Sequence, residues 1–264
     1  MDSHEIDYKI YGEELQFVEI ELDPGESTVA ESGAFMMMED GISMNTIFGD
    51  GSREQTGGLL GKVLNAGKRV LTGESLFMSI FTNEGNGKAK VSFAAPYTGK
   101  IIPLDLSQYE GKIIAQKDSF LCAAKGVNIG IEFQRRLGTG IFGGEGFIMQ
   151  KLEGDGITFV HAGGYVVKKE LAIGETLRLD TGCVVAYTSR VDFDIEFIKG
   201  LKNWMFGGEG LFYAKLRGPG TVWIQSLPIS RLAAKIVSYG GIGGRREEGS
   251  ILGGLGNLLD GDGY

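Results

Sequence analysis

Hydrophobic and polar positions alternate along much of the chain. Val18, Ile20 and Leu22 point one way while Glu19 and Glu21 point the other, the period of a half-buried β-strand. Val127-Asn128-Ile129-Gly130-Ile131-Glu132-Phe133 alternates strictly, and so does Val191-Asp192-Phe193-Asp194-Ile195-Glu196-Phe197. Other stretches have no polar face. Residues 29–38 read as one strand whose end, Phe35-Met36-Met37-Met38, belongs in a core or a subunit contact. Helical period shows in two places only. Leu59, Leu60, Val63, Leu64, Val70 and Leu71 share one helical face, with Lys62, Lys68 and Arg69 off it, and Ile229, Leu232, Ala233 and Ile236 mark a short capping helix.

The pattern repeats. Phe206-Gly207-Gly208-Glu209-Gly210-Leu211-Phe212-Tyr213 echoes Phe142-Gly143-Gly144-Glu145-Gly146-Phe147-Ile148-Met149, and Leu71-Thr72-Gly73-Glu74-Ser75-Leu76-Phe77-Met78 is a looser copy. Upstream of each copy a turn glycine (Gly25, Gly111, Gly174) precedes a second small residue (Gly33, Ser119, Gly182) by eight positions. From the turn glycine to the glutamate the distance is 49, 34 and 35 residues, so the first unit carries an insertion, residues 45–72. Downstream, Asn83 to Gly87, Glu153 to Gly156 and Arg217 to Gly220 form tight hairpin turns. The expected fold is all-β. It consists of three β-sandwich-like repeats, each a short double-stranded β-helix, at about 8–96, 100–164 and 165–228 around a pseudo-threefold axis. Residues 1–230 then form one domain, and 231–264 a short helix and a flexible glycine-rich tail.

Composition sharpens this in two ways. The 44 glycines, without a collagen period, fit many strands joined by tight turns, and a net charge of −8 disfavours general nucleic-acid binding. Cys122 and Cys183 sit in apolar runs, the setting of buried thiols in a reducing compartment. The polar start, Met1-Asp2-Ser3-His4-Glu5, reads as neither signal peptide nor presequence, and no apolar run reaches the ~18 residues of a membrane span. A cytoplasmic location follows, with peripheral membrane attachment as its extension.

Catalytic chemistry finds little support. The two histidines, His4 in a loose N-terminus and His161 inside a strand, are too few for the metal site of a cupin-like barrel, so no metal or cofactor is expected. His161 reads as a satisfied strand histidine. Neither a Walker-type loop nor a dinucleotide fingerprint is present. The repeated glutamates Glu74, Glu145 and Glu209 read as caps of neighbouring N–H groups; the sharper alternative turns all three toward the axis, as a cation site. Ahead of them lie mixed basic and apolar segments, bearing Lys62, Lys68 and Arg69, then Arg135 and Arg136, then Lys199, Lys202 and Trp204. Related units would bring these to one end, as a surface for a protein partner or an anionic membrane.

The signatures, together with Leu216-Arg217-Gly218-Pro219-Gly220-Thr221-Val222-Trp223-Ile224-Gln225-Ser226, resemble the altered-inheritance-of-mitochondria family of β proteins over about residues 6–230. The resemblance implies three β modules about a pseudo-threefold axis, in a fold similar to the tryptophan RNA-binding attenuator protein. It implies little about activity: eukaryotic members are linked to mitochondrial inner-membrane organisation, and the attenuator's RNA and tryptophan sites do not carry over with the fold. The function expected is that of a non-enzymatic scaffold or interaction protein that meets a partner, a membrane surface or copies of itself. The alternative is a small-ligand- or cation-binding β module, with an enzyme a distant third.

Overall fold

A computed structural model describes residues 3–31, 33–48, 77–135, 146–197 and 212–240, and nearly all of them are β-structure. The chain divides into two units, Met1–Ser230 and Arg231–Tyr264. The first contains all the described strands. After an N-terminal strand, β1 (Asp7–Tyr11), come β2 (Phe17–Leu22), β3 (Ser27–Glu31), β4 (Phe35–Met38), β5 (Ile42–Phe48), β6 (Phe77–Asn83) and β7 (Ala89–Ala94). Next are β8 (Gly99–Asp105), β9 (Lys112–Gln116), β10 (Phe120–Ala124), β11 (Asn128–Arg135), β12 (Phe147–Glu153) and β13 (Ile157–Gly163). The last six are β14 (Val166–Leu171), β15 (Thr176–Asp180), β16 (Val184–Thr188), β17 (Asp192–Phe197), β18 (Phe212–Arg217) and β19 (Gly220–Gln225). The helix α1 (Ile229–Gly240) closes the described chain and leaves Ile236, Val237 and Tyr239 exposed.

Four antiparallel pairings recur in each third of the chain. In the first, β7 lies between β2 and β4, and β6 between β3 and β5. In the second, β13 lies between β8 and β10, and β12 between β9 and β11. In the third, β19 lies between β14 and β16, and β18 between β15 and β17. Even the β-bulge recurs, between Phe35 and Met37, Phe120 and Cys122, and Val184 and Ala186. Two further pairings, β3 with β10 and β9 with β16, fuse halves of successive thirds into six-stranded sheets. The sheets run β1-β2-β7-β4, β5-β6-β3-β10-β13-β8, β11-β12-β9-β16-β19-β14 and β15-β18-β17.

Layering explains the sequence patterns. Three apolar clusters lie between successive sheets: one around Ile20, Phe81, Phe93 and Phe159, one around Leu104, Phe120, Leu152 and Trp223, and one around Phe147, Met149, Leu216 and Val222. The two six-stranded sheets are therefore covered on both faces, and β10 (Phe120 to Ala124) is buried at every position, as a continuous apolar run demands. The first sheet meets the core on one face only, so β2 alternates buried and half-buried residues.

Buried polar side chains pin the connections. Asn83 Nδ2 donates to the Leu22 and Gly87 carbonyls, each at 2.8 Å, while its Oδ1 accepts from the Gly85 N–H at 3.0 Å, so one side chain holds the hairpin turn together. Gln225 accepts from the Gly163 N–H at 2.8 Å and donates to the Gly182 carbonyl at 2.7 Å, linking two thirds of the chain. Gly99 has no room for a side chain, because a Cβ there would stand 2.0 Å from the Ala162 carbonyl oxygen.

Several expectations need correction. Residues 29–38 are not one strand: β3 and β4 belong to different sheets and are divided at Gly33. The Phe35 to Met38 run is not core, since all four residues are exposed on the outer strand of the first sheet. The insertion 45–72 begins inside β5, and its remainder lies outside the described residues, as does the tail beyond Gly240. His4 is not in a loose segment. Its Nδ1 accepts from the Ser27 N–H at 2.9 Å and its own N–H donates to the Lys125 carbonyl at 2.8 Å.

Candidate functional site

Of the residues expected to form a site, Glu74, Glu145 and Glu209 lie outside the described residues, as do Lys62, Lys68, Arg69, Arg136, Lys199, Lys202 and Trp204. Arg135 is described, at the end of β11. Its Nη1 donates to the Ile195 carbonyl at 2.9 Å and stands 3.7 Å from an Asp194 oxygen, so it bridges to β17 instead of facing a partner alone. The acidic alternations are likewise answered within the chain. Glu132 meets Lys112 at 3.1 Å, and Glu196 meets Lys215 at 2.8 Å and the Tyr213 hydroxyl at 2.6 Å. Those hydrogen bonds, from Lys215 first and Tyr213 next, hold the Glu196 carboxyl down at about 2.

Among the described residues, N–H capping by glutamate recurs beside the turn glycines. In the first third Glu26 accepts from the Asp23 N–H at 2.8 Å, and in the third Glu175 accepts from the Ala172 N–H at 3.0 Å. The signal was available in the sequence as Gly25-Glu26 and Gly174-Glu175, and Lys112 takes the equivalent place in the middle third. Here Gly25, Gly111 and Gly174 all adopt positive φ, the conformation glycine reaches without a Cβ clash.

One group of titratable side chains gathers beside β13. His161 is 1% exposed, and its ring meets the Tyr97 ring edge-on at 4.5 Å. Neither ring nitrogen has a hydrogen-bond partner of good geometry among the described residues. Burial pushes the imidazole down to about 4, and the Tyr97 backbone, which favours the protonated ring, does not offset it. Tyr97 itself is pushed up to about 12, by burial first and then by Asp118. Glu31 is raised by burial, then by the same Asp118, while Lys117 opposes; because Glu31 as a residue is exposed, solvent screens that effect. His161 is thus a neutral, buried ring at neutral pH and not the hydrogen-bonded strand histidine expected. Nothing local could have paired it with Tyr97, which arrives from a distant turn. The Cys122 thiol, wholly buried, is held well above its ordinary range by desolvation and is a poor nucleophile.

The most exposed apolar feature on an ordered strand is β4. Phe35, Met36, Met37 and Met38 are 38%, 47%, 45% and 43% exposed, and one edge of their strand has no pairing strand among the described residues. At the other end of the sheet series, β15 also pairs on one side only among the described residues, with β18. Among the described residues no group of three or more His, Cys, Asp or Glu is placed to hold a metal ion, and no helix is long and apolar enough to cross a membrane.

Comparison with known proteins places this geometry. The family model described as Mitochondrial biogenesis AIM24 matches residues 8–227. An uncharacterized protein of Streptococcus pyogenes serotype M6 is 30% identical over 231 residues, covering 85% of this chain and 88% of that protein. The crystal structure of another Streptococcus pyogenes protein, a structural genomics target, is similar with a TM-score of 0.69 at 26% identity, covering 89% of this chain and 99% of the other.

Proposed function

The chain belongs to the Mitochondrial biogenesis AIM24 family, and from that premise we propose that it is a non-enzymatic β scaffold that acts by associating with copies of itself. One observation carries the reading: four consecutive apolar side chains, Phe35 to Met38, are offered to solvent on a strand with one edge unpaired among the described residues. Exposed apolar strand edges promote uncontrolled aggregation, and folds that keep one cover it or use it. The recurrence of the same pairings along the chain supports three related modules turning about a common axis, a construction suited to presenting surfaces. Neither Cys122 nor Cys183 is in a disulfide, which supports a reducing compartment such as the cytoplasm.

Sedimentation velocity over a concentration series tests the reading. Species heavier than the 28.4 kDa single chain are expected, growing with concentration. A single chain at every concentration, combined with a melting point that climbs with the concentration of a metabolite or cation, would replace the scaffold by a ligand-binding module.

A further inference from the structure

We propose that β15 of one chain pairs with β4 of a second copy, head to tail, in the register that already joins β3 to β10 and β9 to β16 inside the chain. The proposal rests on the scaffold reading and names the interface it uses. In the pairing of β3 with β10, Ala30 stands opposite Cys122, Val29 opposite Ala123 and Thr28 opposite Ala124. For β9 and β16 the opposites are Ala115 with Ala186, Ile114 with Tyr187 and Ile113 with Thr188. Cys122 and Ala186 are each the first paired residue after a bulge, and in β4 that residue is Met37. On the other side, Ala30 and Ala115 are each the last residue but one of their strands, and in β15 that residue is Leu179.

The third instance of the interface is therefore specified atom row by atom row: Met37 opposite Leu179, Met38 opposite Arg178, Glu39 opposite Leu177. Among the described residues of one chain it is unmade, since β4 ends the first sheet and β15 ends the last. Both strands present what such a pairing needs. The β4 residues are exposed and apolar, while β15 alternates half-buried Leu177 and Leu179 with exposed Thr176, Arg178 and Asp180. The Met37 and Leu179 pair would bury two apolar side chains, and the Arg178 stem would lie along Met38 while its guanidinium keeps Glu196 at 3.6 Å and the Tyr213 ring at 5.9 Å. Because one chain supplies one β4 and one β15, the contact is heterologous, and it adds chains in one direction until the rotation closes a ring or runs on as a filament.

Met38→Cys and Arg178→Cys, made separately in the full chain and mixed, test the pairing with a short bis-maleimide. A two-chain product in the mixture, absent from wild type and from either variant alone, is expected. A two-chain product from one variant alone would overturn the head-to-tail pairing, and so would a cross-link confined to single chains when both cysteines are placed in one chain. Met37→Lys, which puts a charge on the edge, should raise the concentration for half-assembly by roughly tenfold or more. If the mixture stays uncross-linked while sedimentation still shows multi-chain species, this interface is wrong and the scaffold stands. If every preparation is a single chain, both fall.

Discussion

Phe81→Ala will destabilise the protein by about 3–5 kcal/mol, the range for emptying an aromatic site in a well-packed core. Phe81 is fully buried on β6, and its ring meets Phe93 edge-on at 5.1 Å and stacks on Phe35 at 5.4 Å. It thus ties the first sheet to the first six-stranded sheet, since Phe93 lies on β7 and Phe35 on β4. No neighbour can collapse into the space without leaving the other sheet. For a chain of this length the midpoint should fall by roughly 10 °C, read by circular dichroism or calorimetry. Phe35→Ala offers the contrast. That ring is 38% exposed, so its loss should cost well under half as much. Equal losses for the two variants would mean that β4 is buried in the free chain and that the layering described for it is mistaken.

The second large effect is conditional on pH. His161 has its folded pKa depressed to about 4 from an ordinary 6.5, because burial penalises the charged ring. A depressed pKa means that the unfolded chain takes up a proton the folded chain refuses. The contribution is present in full above about 6.5, and it is lost as pH falls toward 4. At roughly 1.4 kcal/mol per pH unit, the folded state gives up on the order of 3 kcal/mol across that window. Glu31 works in the opposite direction, since its raised pKa favours the fold at low pH and is lost as pH rises, but its exposure weakens the effect. Comparison with His161→Phe isolates the histidine. The variant keeps an aromatic ring against Tyr97, leaves no unpaired ring nitrogen and does not titrate. Denaturant unfolding at pH 7 and pH 4.5 should show wild type losing about 2–3 kcal/mol more than the variant. Parallel curves would show that the ring is solvated or paired in the folded protein.

The parts of this fold legible in the sequence are those set by local chemistry. Val18, Ile20 and Leu22 report a strand wet on one face, because the polar residues between them had to meet water. Phe120 to Ala124 are uniformly apolar because both faces of β10 are covered. Turn glycines at Gly25, Gly111 and Gly174 stood out because positive φ is costly for any other residue. Partners were not legible. Nothing near Ala30 says that it will lie opposite Cys122, since backbone pairing carries no residue code and the choice is made by the whole layer. The Phe35 to Met38 run misled for a related reason. Four apolar residues in a row read as interior, and only the sheet order reveals them on an outer edge. The subunit contact, the other reading of that run, is the one the edge geometry favours. The glutamates and cations expected to form a site were chosen from the repeat signatures and, Arg135 apart, lie outside the described residues; within those residues Glu26 and Glu175 cap N–H groups and His161 is the buried titratable ring.

Amide hydrogen exchange of the wild-type chain, followed by mass spectrometry at low and high protein concentration, addresses the account at its centre. In peptides spanning Phe35 to Met38 and Thr176 to Asp180, the amides not bonded to β7 or β18 should exchange fast when dilute and become protected together when concentrated, while β10 and β13 stay slow throughout. Fast exchange of those amides in both edge strands at all concentrations, or their protection in only one of them, would contradict it.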